Sequence, residues 1–462
     1  MSEVICVSPI DGSEYARRTT IGDEALGRTL DAARTAQRAW AQVPVAERAA
    51  AMTRFLEAMR TLNPAIVPEL AWQMGRPVRY SGEFRSLEER VRYMVSIAER
   101  ALEPLRPLDD KPGFERLIRR EPLGTVLVVA PWNYPFLTAV NTIVPALIAG
   151  NAVILKHAAQ TLLVGERFAE AMAMADLPPG LFSNVLLTHD QTARLLASGA
   201  INHASFTGSV AGGKAIEQAA AGTFTTPGLE LGGKDPAYVR ADAALDYAVE
   251  NLVDGAFFNS GQSCCGVERI YVHADLYDRF VEQFVELTGQ YVLGNPLDAA
   301  TSLGPMAATR FAELVRSHTA EALAKGARAH LDPASFPANQ PGTPYLAPQV
   351  LTNVDHTMRV MVEESFGPVV GIMKVANDAE AVTLMNDSPY GLTASVWTSD
   401  LEAAQNVGAQ IATGTVYMNR CDYLDPGLVW TGVKDTGRGA SLSTLGYEAL
   451  TRAKSYHLRH TL

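Results

Sequence analysis

Between residues 120 and 210 short apolar runs alternate with stretches of helical patterning, and this alternation restricts the chain more than any other feature. Residues 125–130 and 152–155 are continuous apolar runs of strand length, and 202–206 forms a third strand. Residues 139–148 and 162–174 carry helical spacing, with Gly150-Asn151 as a turn between elements. Strands buried on both faces and linked by helices imply a largely parallel α/β sheet. The pattern resumes after Gly233, with strands expected at 267–273, 369–375 and 394–398, so a second α/β lobe is expected. Upstream, residues 21–59 read as one alanine-rich helix and 87–102 as another. Residues 109–120 are charged and turn-rich, a linker or a protruding hairpin. Residues 332–348, which hold Pro333, Pro337, Pro341 and Pro344, read as loop.

The composition narrows the functional classes. Of 462 residues, 47% are hydrophobic and 19% charged, enough apolar mass for large cores. The net charge of −11 argues against a surface built to neutralise nucleic-acid phosphates. Cys6, Cys264, Cys265 and Cys421 are too few for a disulfide scaffold, and no Cys/His set has zinc-ligand spacing, so no metal is expected. The most apolar window, 136–155, is long enough to cross a bilayer, but Asn141, Pro145, Gly150 and Asn151 interrupt it. A buried helix–turn–strand fits it better. Residues 1–18 lack the basic start and apolar stretch of a secretory leader, so a soluble cytoplasmic protein without membrane contact is expected.

Four short segments carry chemistry. In Phe258-Asn259-Ser260-Gly261-Gln262-Ser263-Cys264-Cys265, two cysteines follow a turn; they read as an exposed thiolate nucleophile or as two small buried hydrophobes. In Leu229-Glu230-Leu231-Gly232-Gly233-Lys234, a partly buried Glu230 would suit general-base work; a surface glutamate closing a strand is the plainer reading. In Ala130-Pro131-Trp132-Asn133-Tyr134-Pro135, two prolines stiffen a tripeptide whose Asn133 amide could face an oxyanion, or the segment is a rigid turn with packed aromatics. Phe206-Thr207-Gly208-Ser209 opens a helix toward Gly213, a place where phosphate binds free N–H groups, although the Gly-x-Gly-x-x-Gly fingerprint is absent.

Taken together, in this order and spacing, the segments resemble the aldehyde dehydrogenase superfamily over nearly the whole chain. The resemblance implies an α/β fold with a Rossmann-like cofactor domain (1–103 and 123–231), an α/β catalytic domain (232–436) and a small β oligomerisation arm (104–122 and 437–462). It implies Cys264 as nucleophile, Glu230 as general base and Asn133, with the Cys264 N–H, as the oxyanion site. The cofactor residues it implies are Pro131, Trp132, Lys156, Gly208, Ser209, Gly213, Leu231, Glu364 and Phe366. Gly414 and Asn419 match a supporting turn. The expected reaction is oxidation of an aldehyde to its acid with NAD or NADP, through a thioester on Cys264 that water hydrolyses.

The chain departs from the family pattern where cofactor choice is made. Lys156-His157-Ala158-Ala159-Gln160 has Ala159 where many members carry a glutamate for the ribose 2′-hydroxyl, which admits NADP. His157 could assist. Gly212 stands where a charged residue is common, and Trp430-Thr431-Gly432-Val433-Lys434 where two glycines are usual. Tyr134, Thr138, Asn141, Ser263, Arg420, Cys421 and Trp430 are the candidate substrate lining. Tyr134 and Trp430 favour an aromatic or medium apolar aldehyde, whereas Arg420 would favour a semialdehyde. The resemblance further implies a homodimer or homotetramer, with a small aldehyde as the only other partner. An acylating, coenzyme A-dependent enzyme and a non-catalytic member are the alternatives; Glu230 argues against the first, and the presence of Cys264, Glu230, Asn133 and Lys156 together against the second.

Overall fold

The computed structural model describes residues 2–461. Its first lobe is built on a six-stranded sheet ordered Gly437–Arg438, Thr226–Glu230, His203–Thr207, Thr125–Val129, Ala152–Lys156 and Phe182–Asn184. Every neighbouring pair is parallel except the first. The central strand Thr125–Val129 is buried along its whole length, which is why it reads as an unbroken apolar run. Helix Pro135–Ala149 starts with proline in its first turn and ends at Gly150, whose φ of 98° lets the chain reverse into the next strand. With 15 residues it is shorter than the ~20 needed to cross a bilayer, and among the described residues no helix is long and apolar enough to do so.

The second lobe holds a seven-stranded sheet ordered Arg328–Ala329, Gln349–Thr352, Val369–Val375, Val267–His273, Asp235–Val239, Thr393–Trp397 and Thr415–Met418. Only its first pair is antiparallel. Side chains alternate across it: Ile270 and Val272 enter one core and Tyr271 the other.

Two expectations need correction. Residues 21–59 are two helices, Asp23–Trp40 and Val45–Met74. Pro44 sits between them as the extended residue before the second helix, which then runs on through Pro64 and Pro68 to a left-handed Gly75. Only part of 437–462 is an arm. Gly437–Arg438 pairs with the Glu230 strand, and helix Ser443–Ala449 buries Leu442, Tyr447 and Leu450 in the first lobe's core. The Tyr447 hydroxyl donates to the Met94 carbonyl at 2.7 Å. The rest is the antiparallel ribbon of Phe114–Pro122 with Thr451–Arg459, paired within one chain from Phe114↔Arg459 to Pro122↔Thr451.

Candidate active site

Helix Leu245–Phe257 ends in a turn where Asn259, Ser260 and Gly261 all take left-handed φ values of 54°, 57° and 68°. Two of these are not glycine, so the turn is strained by about 1 kcal/mol or more per residue. Side-chain bonds hold it. Ser260 Oγ donates to the Gly304 carbonyl at 2.8 Å, Gln262 Nε2 donates to the Asn259 carbonyl at 3.1 Å, and Gln262 Oε1 accepts from the Ala307 N–H at 2.9 Å. A Cβ on Gly261 would stand 2.4 Å from the Gly367 carbonyl, so only glycine fits. The reversed chain delivers Cys264 and Cys265 just before strand Val267–His273.

Cys264 is half-buried on the wall of a cavity of about 220 Å³, and Glu230 lines the same cavity. Tyr134, Thr138, Asn141, Ser263, Trp430 and Leu231 also line it. Arg420 and Cys421 do not. Residues 420–423 turn so that the Arg420 guanidinium lies over the outer face of the Tyr423 ring, 3.4 Å from its centroid, with the arginine open to solvent. Cys421 Sγ points away to the Asn251 carbonyl at 3.4 Å. The residue of that segment that does reach the cavity is Asp422, at a left-handed φ of 45°.

Asn133 is buried beside this turn. Its Nδ2 donates to the Gln262 carbonyl at 3.1 Å, leaving the second N–H of the amide. The Asn133 carbonyl accepts from Arg76 at 2.6 Å and from Asn259 Nδ2 at 3.2 Å. Arg76 in turn pairs with Glu83 at 2.5 Å, both nearly sealed from solvent, and Glu83 accepts the N–H groups of Phe136 and Leu137 at 3.1 and 2.8 Å. A buried ion pair therefore ties the start of helix Pro135–Ala149 to the cysteine turn.

Burial pushes the Glu230 carboxyl upward, opposed by hydrogen bonds from Ser441 Oγ at 2.6 Å and Thr207 Oγ1 at 3.2 Å and by the charge of Arg90. Cys265 is held as a thiol: its hydrogen bond to Cys264 first, then burial and the Asp422 carboxylate, push it well up. It donates to Asp422 Oδ1 at 3.0 Å, and Ser263 Oγ donates to the same oxygen at 2.6 Å. Both cysteines line the cavity, but Cys264 is the half-buried one and makes no bond to Asp422. Among the described residues no group of three or more His, Cys, Asp or Glu is placed to hold a metal ion.

The expected cofactor residues lie along the carboxyl edge of the first sheet and the facing loop of the second lobe. Lys156 ends its strand, and its ammonium has no hydrogen-bond partner among the described residues. Gly208 and Gly212 lie under the Phe206 ring, where a Cβ would clash at 2.7 and 2.6 Å. Ser209 caps helix Val210–Ala220 by accepting from the Gly212 N–H at 3.2 Å, and Gly213 packs against Leu231. Phe366, at φ 50°, meets Trp132 edge-on at 5.6 Å, one residue after Pro131. Burial, then the charge of Glu268, raise the Glu364 carboxyl to about 8, and it accepts from the Gly233 N–H at 3.1 Å. A lysine, a capped helix start and a carboxyl with room beside it are donor and acceptor types that fit a dinucleotide. Ala159 is exposed in the 3₁₀ turn Ala159–Thr161. His157 is not free to assist: it is buried, bonded to the Pro135 carbonyl and the Ala158 N–H, and burial lowers it to about 4, so it stays neutral.

Sequence reasoning did not find Arg76, Glu83, Arg90, Asp422 or the buried pair of Lys234 with Glu268, which braces the Ser365 and Phe366 N–H groups. Arg90 carried a signal: it falls on the apolar face of helix Phe84–Ala101, beside Leu87, Val91 and Met94.

The aldehyde dehydrogenase family model matches residues 2–456. A geranial dehydrogenase from Castellaniella defragrans is 34% identical over 94% of this chain and 91% of its own length. An NADP-dependent succinate-semialdehyde dehydrogenase from Deinococcus radiodurans is 32% identical over 97% and 93%. The solved structure of a Staphylococcus aureus betaine aldehyde dehydrogenase in complex with NAD+ superposes with a TM-score of 0.92 at 28% identity, covering 100% of this chain and 92% of that one. With the two-lobed fold and the match along nearly its full length, the chain belongs to the aldehyde dehydrogenase family and is an NAD(P)-dependent aldehyde dehydrogenase.

Proposed function

We propose that the chain oxidises an aldehyde to its carboxylic acid through a covalent intermediate on Cys264 that Glu230 helps to hydrolyse. The observation that supports this most is that Cys264 and Glu230 share one cavity of about 220 Å³. The Cys264 thiolate adds to the aldehyde carbon, giving a tetrahedral adduct whose oxyanion would take the spare N–H of Asn133 and the Cys264 N–H. The nicotinamide cofactor, when bound, accepts the hydride that this adduct loses. Glu230 then takes a proton from water as it attacks the thioester, and the acid leaves as the Cys264 thiolate is regenerated.

Lys156, Gly208, Ser209, Glu364 and Phe366 would hold the cofactor, with Pro131, Trp132, Gly213 and Leu231 forming the adjoining wall. The absence of a carboxylate at Ala159 supports use of NADP beside NAD. Tyr134 and Trp430 support an aromatic or medium apolar substrate. In the ribbon of Phe114–Pro122 and Thr451–Arg459, Leu105 bridges the outer edge of the first strand at Ile118, while the outer edge of Thr451–Arg459 pairs with no described strand, which supports a homodimer or homotetramer built through it.

The test is an aldehyde panel assayed with each cofactor, without coenzyme A, on wild type and Cys264→Ala. Acid production by wild type and its loss in Cys264→Ala are expected. Turnover unchanged in Cys264→Ala, or acid formed only with an added acyl acceptor, overturns the reading.

A further inference from the structure

Arg90 is the one basic side chain lining the cavity that holds Cys264 and Glu230. It is only 7% exposed, and it has no carboxylate partner among the described ion pairs. One terminal nitrogen donates to the Leu137 carbonyl at 2.9 Å and to Asn141 Oδ1 at 3.0 Å; its other N–H groups donate to no described residue. The nearby carboxylate that could neutralise it, Glu83, is already bonded to Arg76. A buried guanidinium without a counter-ion is costly, so it calls for an anion to face. Glu230 has the complementary lack: its hydrogen bonds come from Ser441 and Thr207, both neutral.

The other charges around the cavity do not supply that balance. Asp422 on the far wall is bonded to Ser263 and Cys265, and Glu89 accepts from the Tyr423 hydroxyl. Asp254 opens at the mouth, raised to about 6 by burial and then by Asp422 and Glu250. These are acids, and none brings positive charge beside Glu230. Tyr134 is pushed far up by burial, and Cys265 is a thiol, so neither brings positive charge. Behind Glu230, His203 is lowered by burial to about 4 and is neutral. Arg90 alone acts in the opposite direction on Glu230 through charge.

We propose that Arg90 is a positioning residue for the hydrolytic step: its charge, bonded to no carboxylate, keeps Glu230 ionised inside a buried wall that otherwise favours the neutral acid. The proposal rests on Glu230 being the general base.

The experiment measures acid release from the acyl enzyme in single turnovers against pH, with cofactor bound and an uncharged medium-chain aldehyde. In Arg90→Gln, which lacks the charge, the acid limb moves up by about one pH unit, so the rate falls about tenfold below the limb and recovers above it. Arg90→Lys returns the limb toward wild type; a loss of packing alone would lower the rate at every pH. Arg90→Met serves as the second charge-free variant if Arg90→Gln does not fold. An unmoved limb overturns the proposal. So does a raised KM for an anionic semialdehyde with the limb for the uncharged aldehyde in place, which would make Arg90 a substrate anchor. Glu230→Gln separates the two layers. Wild-type hydrolysis in Glu230→Gln sinks the base assignment itself, whereas an inactive Glu230→Gln with an unmoved limb in Arg90→Gln sinks only the role of Arg90.

Discussion

Replacing Arg76 with methionine should unseat the catalytic turn and destabilise the fold together. Arg76 makes an ion pair with Glu83 and hydrogen bonds to the Asn133 carbonyl and to Asn259 Oδ1, at 2.5, 2.6 and 3.2 Å, with both ion-pair side chains at 3% exposure or less. Removing one partner of so buried a pair costs about 3–5 kcal/mol, because the other charge stays behind. Glu83 keeps the N–H groups of Phe136 and Leu137, so the low end of that range is expected. For 462 residues, an unfolding entropy of about 2.1 cal/mol/K per residue converts each kcal/mol into roughly 1 °C. The melting temperature should therefore fall by about 3 °C.

The loss should also depend on pH. Burial already raises Glu83, and Arg76 opposes that rise, so without Arg76 the folded-state pKa climbs further above the unfolded value. A carboxyl raised in this way gives stability at low pH that is lost as pH rises, so the deficit of Arg76→Met widens with pH. Adding Glu83→Gln removes the stranded charge and should recover about 1–2 kcal/mol. Urea and thermal unfolding of the two single variants and the double variant measure this, with alkylation of Cys264 as the readout of the turn. A melting temperature lowered by under 1 °C, or purely additive losses in the double variant, would refute the reasoning.

Three further outcomes are expected. Asn133→Ala should lower kcat about a hundredfold with a smaller change in KM, because the amide acts on the developing oxyanion; steady-state kinetics on one aldehyde decide it. Ala159→Glu should lower kcat/KM for NADP about tenfold or more relative to NAD, read from paired assays, since a carboxylate there repels a 2′-phosphate. His157 and His203 are each lowered from 6.5 to about 4, so their stabilisation is complete above pH 6.5 and is lost as pH falls through 4. Each is worth up to about 3 kcal/mol, and His157→Gln should flatten the acid side of the stability–pH curve measured by urea unfolding.

Much of the first lobe was legible because its strands are buried on both faces and so announce themselves as apolar runs; residues 162–174 coincide with helix Leu162–Met174. The two-helix break at Pro44 was hidden because alanine-rich flanks keep the same spacing on either side of it. At the site, the candidates were picked out by short local motifs: Cys264 and Asn133 lie in turns of distinctive composition, and Glu230 ends a strand just before a glycine pair. Arg76, Arg90 and Asp422 were not. Their importance comes from what folding places opposite them, Glu83, Asn141 and Cys265, at separations of 7, 51 and 157 positions that no local motif marks. Arg420 misled for the same reason: its neighbour by sequence reaches the cavity while its own side chain folds back over Tyr423.

The strand that carries Glu230 has Gly437–Arg438 as its outer neighbour, Leu231 donates its N–H to the Thr436 carbonyl, and Ser441 supplies a hydrogen bond to the carboxylate. More than two hundred residues separate these contacts along the chain. On a ribosome, Cys264 and Asn133 would emerge well before the partners that seat Glu230. A chain ending before Thr436 would keep Cys264 and Asn133 yet lose every one of these contacts, so the seat of the proposed base depends on the last segment to be made.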